Sequence, residues 1–285
     1  MASLAAIIAL VLGPAIAGCA PTGGTALADP PGAHARIVSI NPCVDALLRE
    51  LAIDDRILAI SHYSQDPRAT SVPLEWAQHF PATGGTAEEV IAHRPDLVLA
   101  GPHVAPATLA ALERLGIGIM LLPVPVTVAE SVAQVRELGA RLGAEEPAEA
   151  LVRRIDAAVA DAAATGSDSA TALVWQAGGM VPGARTLVGD LMRQAGLRNL
   201  SAEHGLADWD VIGLERLIAR PPDLLLSPAV AQASGDRLLA HPALGRLGDA
   251  FVGAEFPARL VHCGGPTIID AAAVLAAGRE RATRP

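Results

Sequence analysis

Cys43 and Cys263, with His62, His103 and His262, are the side chains of this sequence best suited to hold a transition metal or a metal chelate. The two cysteines have two other uses: a disulfide in an oxidising compartment, or two separate thiols. No pair of these residues follows a compact ligand spacing such as His-x-x-x-His, so the fold must bring them together. Around them are groups fitted to a large ligand. Tyr63, Trp175 and Trp209 can stack on a flat face, and Arg185 can meet a carboxylate or phosphate through two hydrogen bonds. Asn41, Pro42 and Gln176 complete the set. His34, His79, His93, His204 and His241 read as structural. A Gly-x-Ser-x-Gly elbow, a phosphate loop and a dinucleotide fingerprint are all missing, and Ser61-His62 adjacency is no triad. An enzyme on this kind of scaffold is therefore the weaker class.

Alternating apolar runs and helical periodicities must position these groups. Strands are expected at 36–40, 57–60, 96–100 and 117–122, with helices at 44–51, 88–93 and 107–115, the last closed by Gly116 in a left-handed cap. A second series has strands at 171–175, 223–227 and 259–262 and helices at 186–195, 213–219 and 267–281. Strands alternating with helices imply mainly parallel sheets covered on both faces. The stretch from Glu88 to Leu99 lines up with Glu215 to Leu226 at one offset, which favours an internal repeat over generic α/β grammar. The expected fold is α/β, with two Rossmann-like lobes joined by one long helix. Its divisions are an N-terminal lobe at 36–145, a connecting helix at 146–166 opened by Pro147, and a C-terminal lobe at 167–285. Such a helix is stiff, so the lobes move by small angles. Ligands in open parallel sheets sit beyond the carboxyl ends of the strands. Those ends here are Asn41-Pro42-Cys43, His62-Tyr63-Ser64, Pro102-His103, Trp175-Gln176, Ser227-Pro228 and His262-Cys263.

Composition limits the partners. With 30 acidic residues against 21 arginines, no lysine and a net charge of -9, the chain is unsuited to nucleic acid. Lysine-based Schiff-base chemistry is excluded as well. Residues 1–18 are almost wholly apolar and lead into Ile16-Ala17-Gly18-Cys19, which resembles a bacterial lipobox with Cys19 as the acylated residue. Residues 1–19 then form a lipoprotein signal and 20–35 a flexible tether. No lysine or arginine precedes the apolar run, which departs from that pattern.

Several pieces together resemble the solute-binding proteins of bacterial importers for cobalamin and iron-siderophores. They are Arg36-Ile37-Val38-Ser39-Ile40-Asn41-Pro42, Gly84-Gly85-Thr86-Ala87-Glu88-Glu89 and Arg94-Pro95-Asp96-Leu97-Val98, followed by Thr186 to Leu191 and Ala195 to Leu200. The resemblance spans residues 36–282. It implies a periplasmic, lipid-anchored monomer with no cofactor of its own. Such a protein would carry a metal chelate in the inter-lobe cleft to an ABC permease dimer and its ATPase. It also implies that Glu88 and Glu215, one per lobe, dock into arginine pockets of the permease. Haem is an alternative ligand, with Tyr63, His62 or His103 as axial groups. A structural or sensory periplasmic protein is a further class.

Overall fold

The structure, a computed structural model, describes residues 34–164, 169–228, 237–247 and 250–284. The expected signal, Cys19 and nearly all of the tether lie outside the described residues. The N-terminal lobe runs β1 (Ile37–Ser39), α1 (Pro42–Glu50), β2 (Ile57–Ser61), α2 (Leu74–Ala77), β3 (Ala82–Thr83), α3 (Ala87–Ala92), β4 (Leu97–Ala100), α4 (Pro106–Arg114) and β5 (Gly118–Leu121). Its five strands pair in the order β3-β2-β1-β4-β5, all parallel. Residues of β1 and β4 are buried throughout, as expected of a sheet covered on both faces. Gly116, at φ 71°, follows α4 in the expected left-handed conformation.

Two helices then cross the molecule, α5 (Val128–Leu142) and α6 (Glu145–Ala162). The connecting helix thus starts before residue 146, and Pro147 is its third residue rather than its first. That position still lies among the N–H groups that have no partner within a helix, so the proline costs no hydrogen bond. The C-terminal lobe follows with β6 (Thr171–Val174), β7 (Met180–Val181), α7 (Leu187–Gln194), β8 (Arg198–Asn199), α8 (Leu200–Glu203), β9 (Asp210–Val211) and α9 (Leu214–Ala219). It continues through β10 (Leu224–Ser227), α10 (Pro242–Gly245), β11 (Val252–Glu255), α11 (Arg259–His262) and α12 (Thr267–Ala282). Its parallel sheet has the order β11-β10-β6-β8, beside an antiparallel β7-β9 pair.

One strand expectation is corrected here. Residues 259–262 form the short helix α11, and the outer strand is β11 instead. The repeated Pro-Asp turns, by contrast, take equivalent roles. Asp96, before β4, accepts hydrogen bonds from the backbone and guanidinium of Arg36 ahead of β1. Asp223, before β10, accepts from Thr171 N and Oγ1 at 2.7 Å at the start of β6. In each lobe an aspartate ties two adjacent central strands at their entry.

The core crosses both lobes because α6 lies between α5 and α12. Its Leu151, Val152 and Ile155 are buried with Leu138 and Leu142 of α5 and Leu275 of α12. Polar groups fix the helix ends: Asp190 of α7 accepts from Val128 N at 2.9 Å, and Arg56 Nη1 donates to Leu142 O at 2.7 Å. Helix α5 approaches α6 so closely that a Cβ on Gly139 would meet Ala148 Cβ at 2.4 Å. We therefore expect Gly139→Ala to destabilise the fold by about 1–3 kcal/mol, although alanine alone favours a helix by about 1 kcal/mol. Urea unfolding measures the difference, and an unchanged or raised midpoint would contradict this packing.

Candidate ligand cleft between the lobes

In both parallel sheets the order of the strands reverses at the centre, and the carboxyl ends there face the region where the lobes meet. In the first sheet the reversal lies between β1 and β4; in the second it lies between β6 and β10. Asn41 ends the β1 connection and caps α1, its Oδ1 accepting from Cys43 N at 2.8 Å and Val44 N at 3.4 Å. Pro42 is the first helical residue, where its missing N–H costs nothing. This places Cys43 in the first turn of α1, at the floor of the cleft.

Cys263 comes to the same point from the other lobe. It follows α11, and the two glycines after it let the chain press against the N-terminal half. A Cβ on Gly265, whose φ is +63°, would lie 2.4 Å from Leu47 Cδ2, and Gly265 N donates to Ser131 Oγ at 2.7 Å. Cys43 and Cys263 are joined by a disulfide across 220 residues, with Cα atoms 5.1 Å apart. Of the three uses open to these cysteines, the structure shows the disulfide; while it stands, neither sulfur is a thiolate ligand. Among the described residues no three His, Cys, Asp or Glu side chains gather as a metal site.

Around this bridge the floor is nearly closed. Asn41, Val44, Pro123, Val124, Pro125 and His262 enclose only about 30 Å³, room for water but not for a chelate. The turns at the carboxyl ends of the strands form the rim of the cleft. On the N-terminal side the rim carries His62 and Tyr63, both exposed, in the 3-10 turn after β2 with ring centroids 4.0 Å apart. His62 Nδ1 lies 3.2 Å from Thr83 O, which fixes the ring. On the C-terminal side Trp209 is 37% exposed and its ring centroid lies 6.2 Å from that of His262. Desolvation lowers the His262 pKa from its ordinary value, which favours the neutral ring. His103 is exposed in the turn after β4.

Three expected contacts are corrected. Trp175 is fully buried, packed in the C-terminal core with Leu173, Val181 and Ile212, so its indole offers no face to a ligand. Gln176 is buried beside it and its N–H donates to Met180 O at 2.8 Å. Arg185 is exposed and already bound to Asp208, its Nη2 donating at 2.5 Å. Aromatic counting also overlooked exposed apolar residues: Met180 and Val211 on the β7-β9 pair, Val126 before α5, and Val124, which lines the concavity beside the bridge. Their isolated positions in turns and two-residue strands carry no periodic signal.

Asp45, also missed, lies fully buried beneath this floor. Its Oδ2 accepts from Ser64 Oγ at 2.6 Å and Ser61 N at 3.0 Å, gripping both ends of the turn that holds His62 and Tyr63, while Oδ1 has no partner. Burial pushes its pKa up to about 7, against the pull of the hydrogen bonds from Ser64 and Ser61.

A sequence profile of the periplasmic binding protein family matches residues 37–250. The chain belongs to that family. No curated protein matches the sequence. Among solved structures, the periplasmic heme-binding protein RhuT from Roseiflexus sp. RS-1 is 22% identical with a TM-score of 0.74, covering 87% of this chain and 99% of its own. A periplasmic heme-binding protein from Pseudomonas aeruginosa is 23% identical, with a TM-score of 0.68 over 88% of this chain and 94% of its own. The vitamin B12-binding protein BtuF of Vibrio cholerae is 17% identical, with a TM-score of 0.69 over 88% and 99%. These likenesses establish the two-lobe fold.

Within a periplasmic binding protein the bridge closes a loop that includes most of the chain. A disulfide stabilises chiefly by restricting the unfolded chain, and one closing a loop this long is worth about 2–5 kcal/mol. Cys43→Ser with Cys263→Ser should lower unfolding stability by that amount, read by urea unfolding. Denatured, unreduced protein lacking residues 1–19 should show no reactive thiol; two reactive thiols would disprove the bridge.

Asp45 yields a pH signature. Its native pKa lies above the unfolded value, so the native state holds the proton more tightly. Its contribution to stability is therefore fully present below about pH 4 and is lost as pH rises to about 7. Relative to Asp45→Asn, the wild type should lose on the order of a few kcal/mol between pH 5 and pH 8. Parallel pH curves for the two proteins would refute the buried proton.

Proposed function

We propose that this periplasmic binding protein is the substrate-binding lipoprotein of an ABC importer, anchored through Cys19, and that it carries a bulky metal chelate. The observation that supports this most is the rim. Tyr63 and Trp209 are exposed on opposite lobes, and Trp209 lies beside His262, which lines the small concavity next to the disulfide. Such a platform suits a large preformed molecule with flat apolar surface better than a bare ion. Arg185, the cation among the expected site residues, is ion-paired with Asp208, so a strongly anionic ligand would have to compete with that carboxylate for it. That favours a corrinoid or a weakly charged ferric siderophore over haem with its two carboxylates. Haem remains the second reading because His62 and Tyr63 stand exposed as a pair that could supply an axial ligand.

Delivery would use Glu88 and Glu215. Each is the second residue of its helix, α3 or α9, and each is exposed at an equivalent place in the repeat. Neighbouring Glu89 is different, since it accepts from Gly84 N at 2.5 Å and Thr83 Oγ1 at 3.1 Å. Two free carboxylates on related lobes suit a two-fold partner bearing arginines.

Absorption titration of protein lacking residues 1–19 with cobalamin, ferric siderophore and haem tests the reading. One of them should bind saturably, and Tyr63→Ala or Trp209→Ala should weaken it at least tenfold. Glu88→Ala with Glu215→Ala should abolish cellular uptake while leaving that affinity intact. Binding of none of the three would remove the chelate assignment, and undiminished uptake would remove the docking assignment.

A further inference from the structure

A second concavity, larger than the cleft floor, lies where α1, the 67–73 loop, α6, α11 and the start of α12 meet. Its volume is about 490 Å³, and it shares no lining residue with the cleft floor although Ser71 at its edge touches Cys263 Sγ at 3.6 Å. Three arginines enter it from three different elements: Arg49 from α1, Arg154 from α6 and Arg259 from α11. Two acids answer them. Glu50, whose side chain is only 12% exposed, accepts from Arg49 Nη1 at 2.8 Å and from Arg154 Nη1 at 2.5 Å. Arg259 Nη1 lies 2.8 Å from Asp270 Oδ2.

The pairing does not satisfy the guanidiniums. Each carries five N–H donors, and each contributes one to its acid here. One carboxylate shared by two arginines also leaves a unit of positive charge uncompensated at Glu50. This occurs in a chain with net charge -9, whose overall field repels anions, so a locally cationic concavity is a local design and not a general surface property. The hydroxyl hydrogens nearby are engaged: Thr267 Oγ1 donates to Cys263 O at 2.6 Å and Thr70 Oγ1 to Val72 O at 2.8 Å. The free donors are therefore those of the arginines, and planar guanidinium forks select carboxylate or phosphate oxygens.

We propose that this concavity is a second binding site, separate from the chelate cleft, for a small molecule carrying two or more carboxylate or phosphate groups. One acidic group meets Arg49 and Arg154, and another meets Arg259. Because those residues belong to the N-terminal lobe, the connecting helix and the C-terminal lobe, the bound anion ties all three together.

Thermal unfolding of the full chain in detergent, titrated with citrate, pyrophosphate or acetate against sodium chloride of equal ionic strength, tests this. Citrate or pyrophosphate should raise Tm saturably by several degrees, and which of them binds more tightly tells carboxylate from phosphate. Acetate should bind at least tenfold more weakly, and chloride should give no saturable shift. Arg154→Gln with Arg259→Gln should weaken the bound anion at least tenfold. Glu50→Gln, which removes the competing carboxylate, should tighten it; a merely structural ion-pair cluster would not respond so. This second variant decides the matter if the double variant fails to fold. No saturable shift, a shift matched by chloride, acetate binding as tightly as the others, or affinity unmoved or weakened by Glu50→Gln would each overturn the proposal.

Discussion

The bond between Cys43 and Cys263 constrains everything around the cleft. The chain passes from one lobe to the other through α5 and α6, and the disulfide adds a covalent tie at the floor between them. Two bodies joined at separated places cannot rotate freely about either one. The close approach of Gly265 to Leu47 and the bond from its N–H to Ser131 show that the tie is built into packed structure. Recognition in such a molecule rests on a rim that is already formed before the ligand arrives, which reduces the ordering cost of binding.

That constraint explains how much is asked of five residues. Asn41 turns the chain out of β1 and caps α1, Cys43 fastens the helix to the other lobe, and Asp45 reaches back to hold the His62-Tyr63 turn. Three positions with different chemistry fall within the first turn and its cap. A buried carboxylate with one unpartnered oxygen is an expensive way to hold a turn, and an apolar residue of similar size would pack without that penalty. What the carboxylate supplies is two directed hydrogen bonds to a segment whose aromatic ring must stay out in solvent.

The alternating pattern of the chain made both lobes legible, because strands buried on both faces appear as short apolar runs such as Leu97 to Ala100 and Leu224 to Ser227. It failed at the sheet edge. Val252-Gly253-Ala254-Glu255 is only partly buried and includes glycine and glutamate, so it lacks the pattern that the interior strands carry. The nearby Arg259-Leu260-Val261-His262 is apolar at its centre and looks like a strand, but its two buried residues serve a single helical turn. The site was legible in outline only. The strand-end rule places Asn41, His62 and Tyr63 in the turns that follow β1 and β2, as the structure has them, yet Trp175, one residue beyond β6, turns into the core. Direction of a side chain past the end of a strand depends on packing, and periodicity ends where the strand does. The pairing of cysteines 220 residues apart, and of Arg185 with Asp208, depends likewise on tertiary placement.

A tied cleft also changes what a transport partner could sense. If the lobes closed widely around cargo, the distance between Glu88 and Glu215 would report occupancy. Here the helices and the disulfide tie the lobes at two places, so on the proposed docking reading these carboxylates would register the protein's orientation and not its load. On the proposed reading, occupancy would be sensed locally, from cargo resting on the exposed side chains of Tyr63 and Trp209. A shallow platform suits that requirement because it leaves one face of a large ligand uncovered. On that reading, the same rigidity that spares the protein an ordering cost on capture would leave the work of prising the ligand loose to the partner.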